Sequence, residues 1–154
     1  MNNLINLLSN VPNLIGLKVS LEDEGINPSL LSFFRELADK AGVELRVKIG
    51  GPEARSDVKL AQEAGADAIV GPMLESAHGI RKFISIPFQG KKYAMVETKF
   101  ALKNFREFVF LEDFLDGFVF GRTDIKNSFI SSAYTKHINE NVDCDSLIEK
   151  ILPE

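Results

Sequence analysis

The stretch "VELRVKIGGPEARSDVKLAQEAGADAIVGPM", Val43 to Met73, decides the fold. It opens on strict alternation. Leu45, Val47 and Ile49 share one face and Glu44, Arg46 and Lys48 the other, which is the period of a strand with one apolar side. Gly50-Gly51 interrupts it. From Pro52 to Ala64 the spacing becomes helical, with Ala54, Val58 and Ala61 on one stripe and Gly65 as the cap. "ADAIVGPM" then runs almost wholly apolar, as a parallel strand covered on both faces does. Strand, helix and strand in this order form a βα repeat, and the flanking sequence extends it.

Upstream, "LKVSLE" (Leu17 to Glu22) alternates as a first strand. Asn27 is an N-cap and Pro28 suits the first helical position. Leu30, Phe34, Leu37 and Ala41 form that helix's apolar stripe, and Gly42 ends it. Downstream, a short helix carries Ile80, Phe83 and Ile84, followed by a fourth strand at "YAMVE" and a helix with Ala101, Phe105, Phe108 and Phe110 expected in the core. "LDGFVFGRTD" (Leu115 to Asp124) reads as a fifth strand, and the remainder as helical segments without another strong strand. Strand starts recur every ~23–29 residues, the signature of parallel α/β architecture. One domain over residues 1–154 is expected, with about five strands.

The bulk composition narrows the function. Lys+Arg number 18 against 22 Asp+Glu, a net charge of −4 that argues against a nucleic-acid footprint. Cys144 is the only cysteine, so an intrachain disulfide and a cysteine metal cage are excluded; it is read as structural. No apolar run reaches the ~18 residues of a membrane span. The first residues, "MNNLINLLSNVPN", lack the pattern of a signal peptide. A cytoplasmic protein with no membrane partner is expected.

In parallel α/β folds ligands sit at the carboxyl ends of the strands. There the sequence places Glu22-Asp23-Glu24, Lys48 with Gly50-Gly51, Glu75, Glu97, and Arg122 with Asp124. Glu97 and Asp124 end successive strands, which lie ~4.8 Å apart in a parallel sheet. Two carboxylates there suit a hard divalent cation that keeps water and substrate oxygens as its other ligands. Arg122, sharing the face of Asp124, and Lys48 would bind an anionic, oxygen-rich ligand. Singly, each has a simpler reading: a solvated strand end for Glu97, an acidic turn for Glu22-Asp23-Glu24, an ion pair for Lys48, a tight turn for Gly50-Gly51. His78 and His137 read as surface or capping residues.

"VKIGGPEARSDVKLAQEAGADAIVGPMLESA", "VETKFALKN" and "LDGFVFGRTDIKNS" together resemble the aldolase/citrate lyase (HpcH/HpaI-like) family of the phosphoenolpyruvate/pyruvate barrels, over most of Leu14 to Ser128. The resemblance implies a β/α barrel that makes or breaks carbon–carbon bonds through a metal-stabilised enolate of a 2-keto acid or acyl-CoA-type substrate. By position it makes Glu97 and Asp124 ligands of Mg²⁺ or Mn²⁺. Lys48 stands where many members carry a substrate-binding arginine, and Met95 where the 2-keto-diol aldolases carry a polar amide. Their early-strand histidine has no counterpart, leaving Glu22 as a candidate for proton transfer. A closed eight-stranded barrel takes ~200 residues or more, so the barrel is expected to be incomplete. Its open edges favour a homo-oligomer. The competing expectation is a non-catalytic binding or assembly protein, an inactive remnant of such a barrel.

Overall fold

Alternation along the strands and 3.6-residue periodicity between them build five βα units in succession. The computed structural model describes residues 2–130 and 143–150. After a first helix, α1 (Asn2–Ser9), come β1 (Gly16–Ser20), α2 (Pro28–Ala41), β2 (Glu44–Lys48), α3 (Arg55–Glu63), β3 (Ala68–Gly71), α4 (Ala77–Ile84), β4 (Lys91–Val96), α5 (Lys99–Phe108), a 3-10 segment (Val109–Phe114), β5 (Gly117–Phe120), α6 (Arg122–Ile130) and α7 (Cys144–Glu149). The sheet order is β1-β2-β3-β4-β5 and every pairing is parallel. The five strands curl into half a barrel of the (β/α) type, as the sequence predicts.

Register explains the two faces. Val19 pairs with Val47, Val47 with Ile69, and Ala94 with Phe118. These residues form the outer face, which packs with Phe83, Phe105 and Phe108 of the helices in one apolar core. The inner face carries Glu44, Arg46, Lys48, Tyr93 and Met95. Its charges are paired in place: Arg46 donates to Glu44 at 2.6 Å, Lys91 pairs with the same carboxylate, and the Arg46 guanidinium lies 4.6 Å above the Tyr93 ring. Lys92, by contrast, falls on the apolar outer face. Burial pushes its ammonium down from the ordinary lysine value, and it donates to the carbonyls of Ile84 and Ile86 at the end of α4. At the opposite end of the sheet from the site, Asp67 accepts from Arg35 at 2.6 Å and from the Leu45 amide at 2.8 Å, tying α2 to β2 and β3.

The caps fall where local chemistry puts them. Asn27 accepts from the Leu30 amide, Ser76 from Gly79, and Thr98 from Ala101, each satisfying an amide that the helix leaves open. Gly42 closes α2 at φ 66°.

Several expectations differ from the structure in their limits. On α2 the expected Leu37 is buried and Phe34 packs against the core, but Leu31 and Ala38 are buried as well, while Leu30 is 42% exposed. The third helix starts at Arg55 instead of Pro52. Phe105 and Phe108 are core, but Phe110 is 60% exposed. Beyond Phe108 the chain tightens to a 3-10 segment, whose three-residue period turns Leu111 inward instead. The fifth strand stops at Phe120, and Arg122 to Ile130 is helix. The tail supplies α7, and no strand follows β5 among the described residues. His137 lies outside the described residues. No described helix is long and apolar enough to cross a membrane.

Candidate functional site

A cleft of about 720 Å³ opens at the carboxyl ends of the strands, and Ser20, Glu22, Lys48, Met73, Glu97 and Asp124 are among its lining residues. Glu97 directly follows β4 and is 4% exposed. Two donors hold its carboxylate. The Met73 amide donates to Oε1 at 2.8 Å, and the Lys48 ammonium lies 3.4 Å from Oε2. Met73 reaches this position with φ 52°, a left-handed backbone that a side chain rarely adopts.

Lys48 ends β2 and lies between two acids: Asp23 Oδ2 at 2.8 Å and Glu97 Oε2 at 3.4 Å. Burial alone would lower its ammonium. The Asp23 hydrogen bond and the charges of Glu97 and Asp23 outweigh burial and hold it above the ordinary lysine value. Asp23 is held below the usual carboxylate range, chiefly by its hydrogen bond from Lys48 and next by that from Ser20. The acidic turn is therefore folded back onto the strand end. Ser20 Oγ donates to Asp23 Oδ2 at 3.0 Å and accepts from the Asp23 amide at 3.2 Å, while the Ser20 amide donates to Glu24 at 2.9 Å.

Asp124 reaches the cleft from the first turn of α6. Asp124, Asn127 and Ser128 all line the cleft, and their i, i+3, i+4 spacing puts them on one side of a helix. The Lys99 amide donates to Ser128 Oγ at 2.8 Å, and Ile125 is fully buried, so this helix face is pinned to the end of β4. Gly121 makes the approach possible. A Cβ there would stand 2.9 Å from Met95 Cε, 3.1 Å from Glu97 Cβ and 3.4 Å from Asp124 Oδ2. A side chain at this position would fill the space that separates the two acids.

Of the residues expected here, Lys48, Glu97, Asp124 and Glu22 line one cleft. Arg122 does not. It donates to Asp145 on α7 at 2.9 Å and its side chain is 66% exposed. The shared face assumed strand alternation, whereas in a helix residues two apart point in nearly opposite directions. The Gly50 amide donates to Asp57 at 2.7 Å, so it is committed within the fold. Cys144 is buried, its Sγ 3.5 Å from the Arg122 carbonyl. Sequence reasoning placed Met73 at the end of the third strand but missed Ser20, Gly121, Asn127 and Ser128. Only Gly121 left a signal, as the glycine that opens "GRTD".

Among the described residues no group of three or more histidine, cysteine or carboxylate side chains is placed to hold a metal. Glu97 and Asp124 line the same cleft and bring two carboxylates, oxygen donors only, to it. That donor set fits a hard cation of the magnesium type, which takes one or two carboxylates and leaves its other positions to water and substrate.

Fold and site together define a β/α half-barrel with an acidic cleft at its strand ends. Comparison with solved structures places that architecture. The citrate synthase SbnG superposes with a TM-score of 0.71 at 17% identity, over 97% of this chain and 66% of that one. A HpcH/HpaI aldolase/citrate lyase family protein from Burkholderia cenocepacia gives 0.73 at 14% identity, over 99% and 70%. Macrophomate synthase gives 0.67 at 13% identity, over 95% and 61%. The chain thus spans less than two thirds of the citrate synthase and macrophomate synthase chains. No family model and no curated protein matches it. The fold is that of the aldolase/citrate lyase barrels, as the sequence resemblance implies.

Proposed function

We propose that the chain is a metal-dependent carbon–carbon lyase of the aldolase/citrate lyase type, acting on a 2-keto acid or an acyl-CoA-type substrate. The observation that carries the reading is that Glu97, Asp124 and Lys48 line one cleft at the strand ends. The structural likeness to an aldolase/citrate lyase family protein supports it.

Glu97 and Asp124 would hold Mg²⁺ or Mn²⁺, which when bound supplies Lewis-acid stabilisation of charge developing on a keto oxygen. Lys48 brings a fixed positive charge into the cleft for a carboxylate or for charge that develops during cleavage. Arg122 is turned toward Asp145, so Lys48 carries that role alone among the residues first expected to do so. Glu22 lines the same cleft beside Gly50 and is the candidate to exchange a proton with the carbon being cleaved. Met95 is 5% exposed and carries no amide, so the polar amide contact of the 2-keto-diol aldolases has no equivalent at that position.

Thermal melting tests the reading. Mg²⁺ with oxaloacetate or pyruvate is expected to raise the melting temperature more than either alone, because ligands that bind only the folded state stabilise it by mass action. No shift with any of them would favour a second reading, a non-catalytic binding protein. That reading draws on one observation, the contact between the Lys48 ammonium and the proposed metal ligand Glu97. Self-association belongs to the same proposal. β1 and β5 each pair with a single strand among the described residues, and open edges recruit further strands. Sedimentation is expected to give a homo-oligomer, and a monomer at all concentrations would remove that part.

A further inference from the structure

The carboxylate that the proposed divalent cation needs is already in contact with a cation of the chain. Lys48 sits unequally between its two partners, at 2.8 Å from Asp23 and 3.4 Å from Glu97. The longer contact is to the proposed metal ligand. Glu97 cannot follow the ammonium, since it is 4% exposed and its other oxygen is clamped by the Met73 amide. Asp23 can, because its side chain is 61% exposed. It is nevertheless kept at the cleft by Ser20, which is 2% exposed and bonded to both its carboxylate and its amide. The partner that holds Lys48 more closely therefore belongs to the turn after β1, independent of the end of β4 where Glu97 sits.

We infer that Lys48 competes with the divalent cation for Glu97, and that Asp23 receives the ammonium when the cation binds. This rests on the reading of Glu97 and Asp124 as metal ligands. A lysine suits the exchange: a compact ammonium on a flexible stem can leave one carboxylate for another, whereas a guanidinium tends to lock a carboxylate through a two-pronged contact. The ammonium never loses its partner, so the exchange leaves no buried charge unpaired. Lys48 thereby sets how tightly the cleft holds metal before substrate arrives, and the unit Asp23–Lys48–Glu97 positions the site in addition to binding substrate.

Mn²⁺ binding to the full chain, followed by electron paramagnetic resonance, tests this without any turnover assay. Lys48→Met is expected to bind Mn²⁺ tighter by roughly tenfold or more, the scale set by removing one unit charge close to another near a protein surface. Lys48→Arg, which keeps the charge, should show no such gain. Asp23→Asn should bind more weakly than the parent, because the ammonium then has only Glu97. The inference is overturned if Lys48→Met, folded by circular dichroism, binds no tighter, or if Lys48→Arg gains equally. Should Lys48→Met fail to fold, Asp23→Asn decides, and equal or tighter binding there overturns it. Mn²⁺ binding that is absent, or indifferent to Glu97→Gln, overturns the metal reading itself. Binding that depends on Glu97 yet ignores Lys48 and Asp23 overturns this inference alone.

Discussion

Glu97→Gln is expected to remove Mg²⁺-dependent cleavage of a 2-keto acid, by on the order of 10²–10³-fold or more, the scale of losing electrostatic stabilisation of a reacting oxyanion, which the metal that Glu97 would help to hold supplies in the proposed reaction. The substitution preserves shape. Glutamine still offers a carbonyl oxygen to the Met73 amide, which now donates to Glu97 at 2.8 Å. Lys48 retains its closer partner, Asp23 at 2.8 Å. Only the negative charge leaves, and with it one of the two carboxylates proposed to hold the metal. Oxaloacetate consumption with and without Mg²⁺, beside far-UV circular dichroism, measures the effect. A folded variant with an unchanged Mg²⁺-dependent rate would take Glu97 out of the site.

The second large effect is on stability. Phe105→Ala is expected to cost about 3–5 kcal/mol, the range for deleting a large buried aromatic and leaving a cavity. Phe105 is 1% exposed, and its ring centroid lies 5.0 Å from Phe118, 5.5 Å from Phe120 and 5.6 Å from Phe108. It thus joins α5 to β5, the last strand before Gly121 and Asp124. A domain of this kind has a total stability of about 5–15 kcal/mol, so the loss is a large share of it. Because β5 leads into α6, which carries Asp124, Mn²⁺ affinity should fall in the same variant if Asp124 is a metal ligand, unlike a core lesion far from the strand ends. Urea unfolding gives the stability difference, and a loss below about 1 kcal/mol, the size of a conservative core trim, would contradict the packing described.

The two substitutions separate what the strand ends do from what holds them. Glu97→Gln changes the charge of the cleft with its shape intact. Phe105→Ala weakens the support behind the cleft and leaves its charges as they are. A variant that lost both turnover and stability through Glu97 alone would mean that the ion pair with Lys48 is mainly structural. That outcome would favour the non-catalytic reading.

Much of this architecture could be read from local chemistry. Alternation in Glu44 to Ile49, the helical spacing after it and the caps at Asn27 and Gly42 depend on residues a few positions apart, and the structure carries each of them. Glu97 at a strand end follows from the same local pattern. What lay beyond reach was whatever depends on distant parts of the chain meeting, or on where a strand gives way to a helix. The end of β5 at Phe120 is such a point. Because helix begins at Arg122, the period changes from two to about 3.6 residues, which turns Arg122 toward Asp145 and brings Asn127 and Ser128 to the cleft. The acidic turn Glu22-Asp23-Glu24 is another. In sequence it is a solvated loop, and only the pairing of β1 with β2 sets Asp23 against Lys48. The Met73 amide on Glu97 has no sequence signal at all, since a backbone donor is the same in every residue but proline. Sequence alone therefore determined the repeating βα units and the acids at their ends. The curl of the sheet decided which of those acids share a cleft and which of them already holds a lysine.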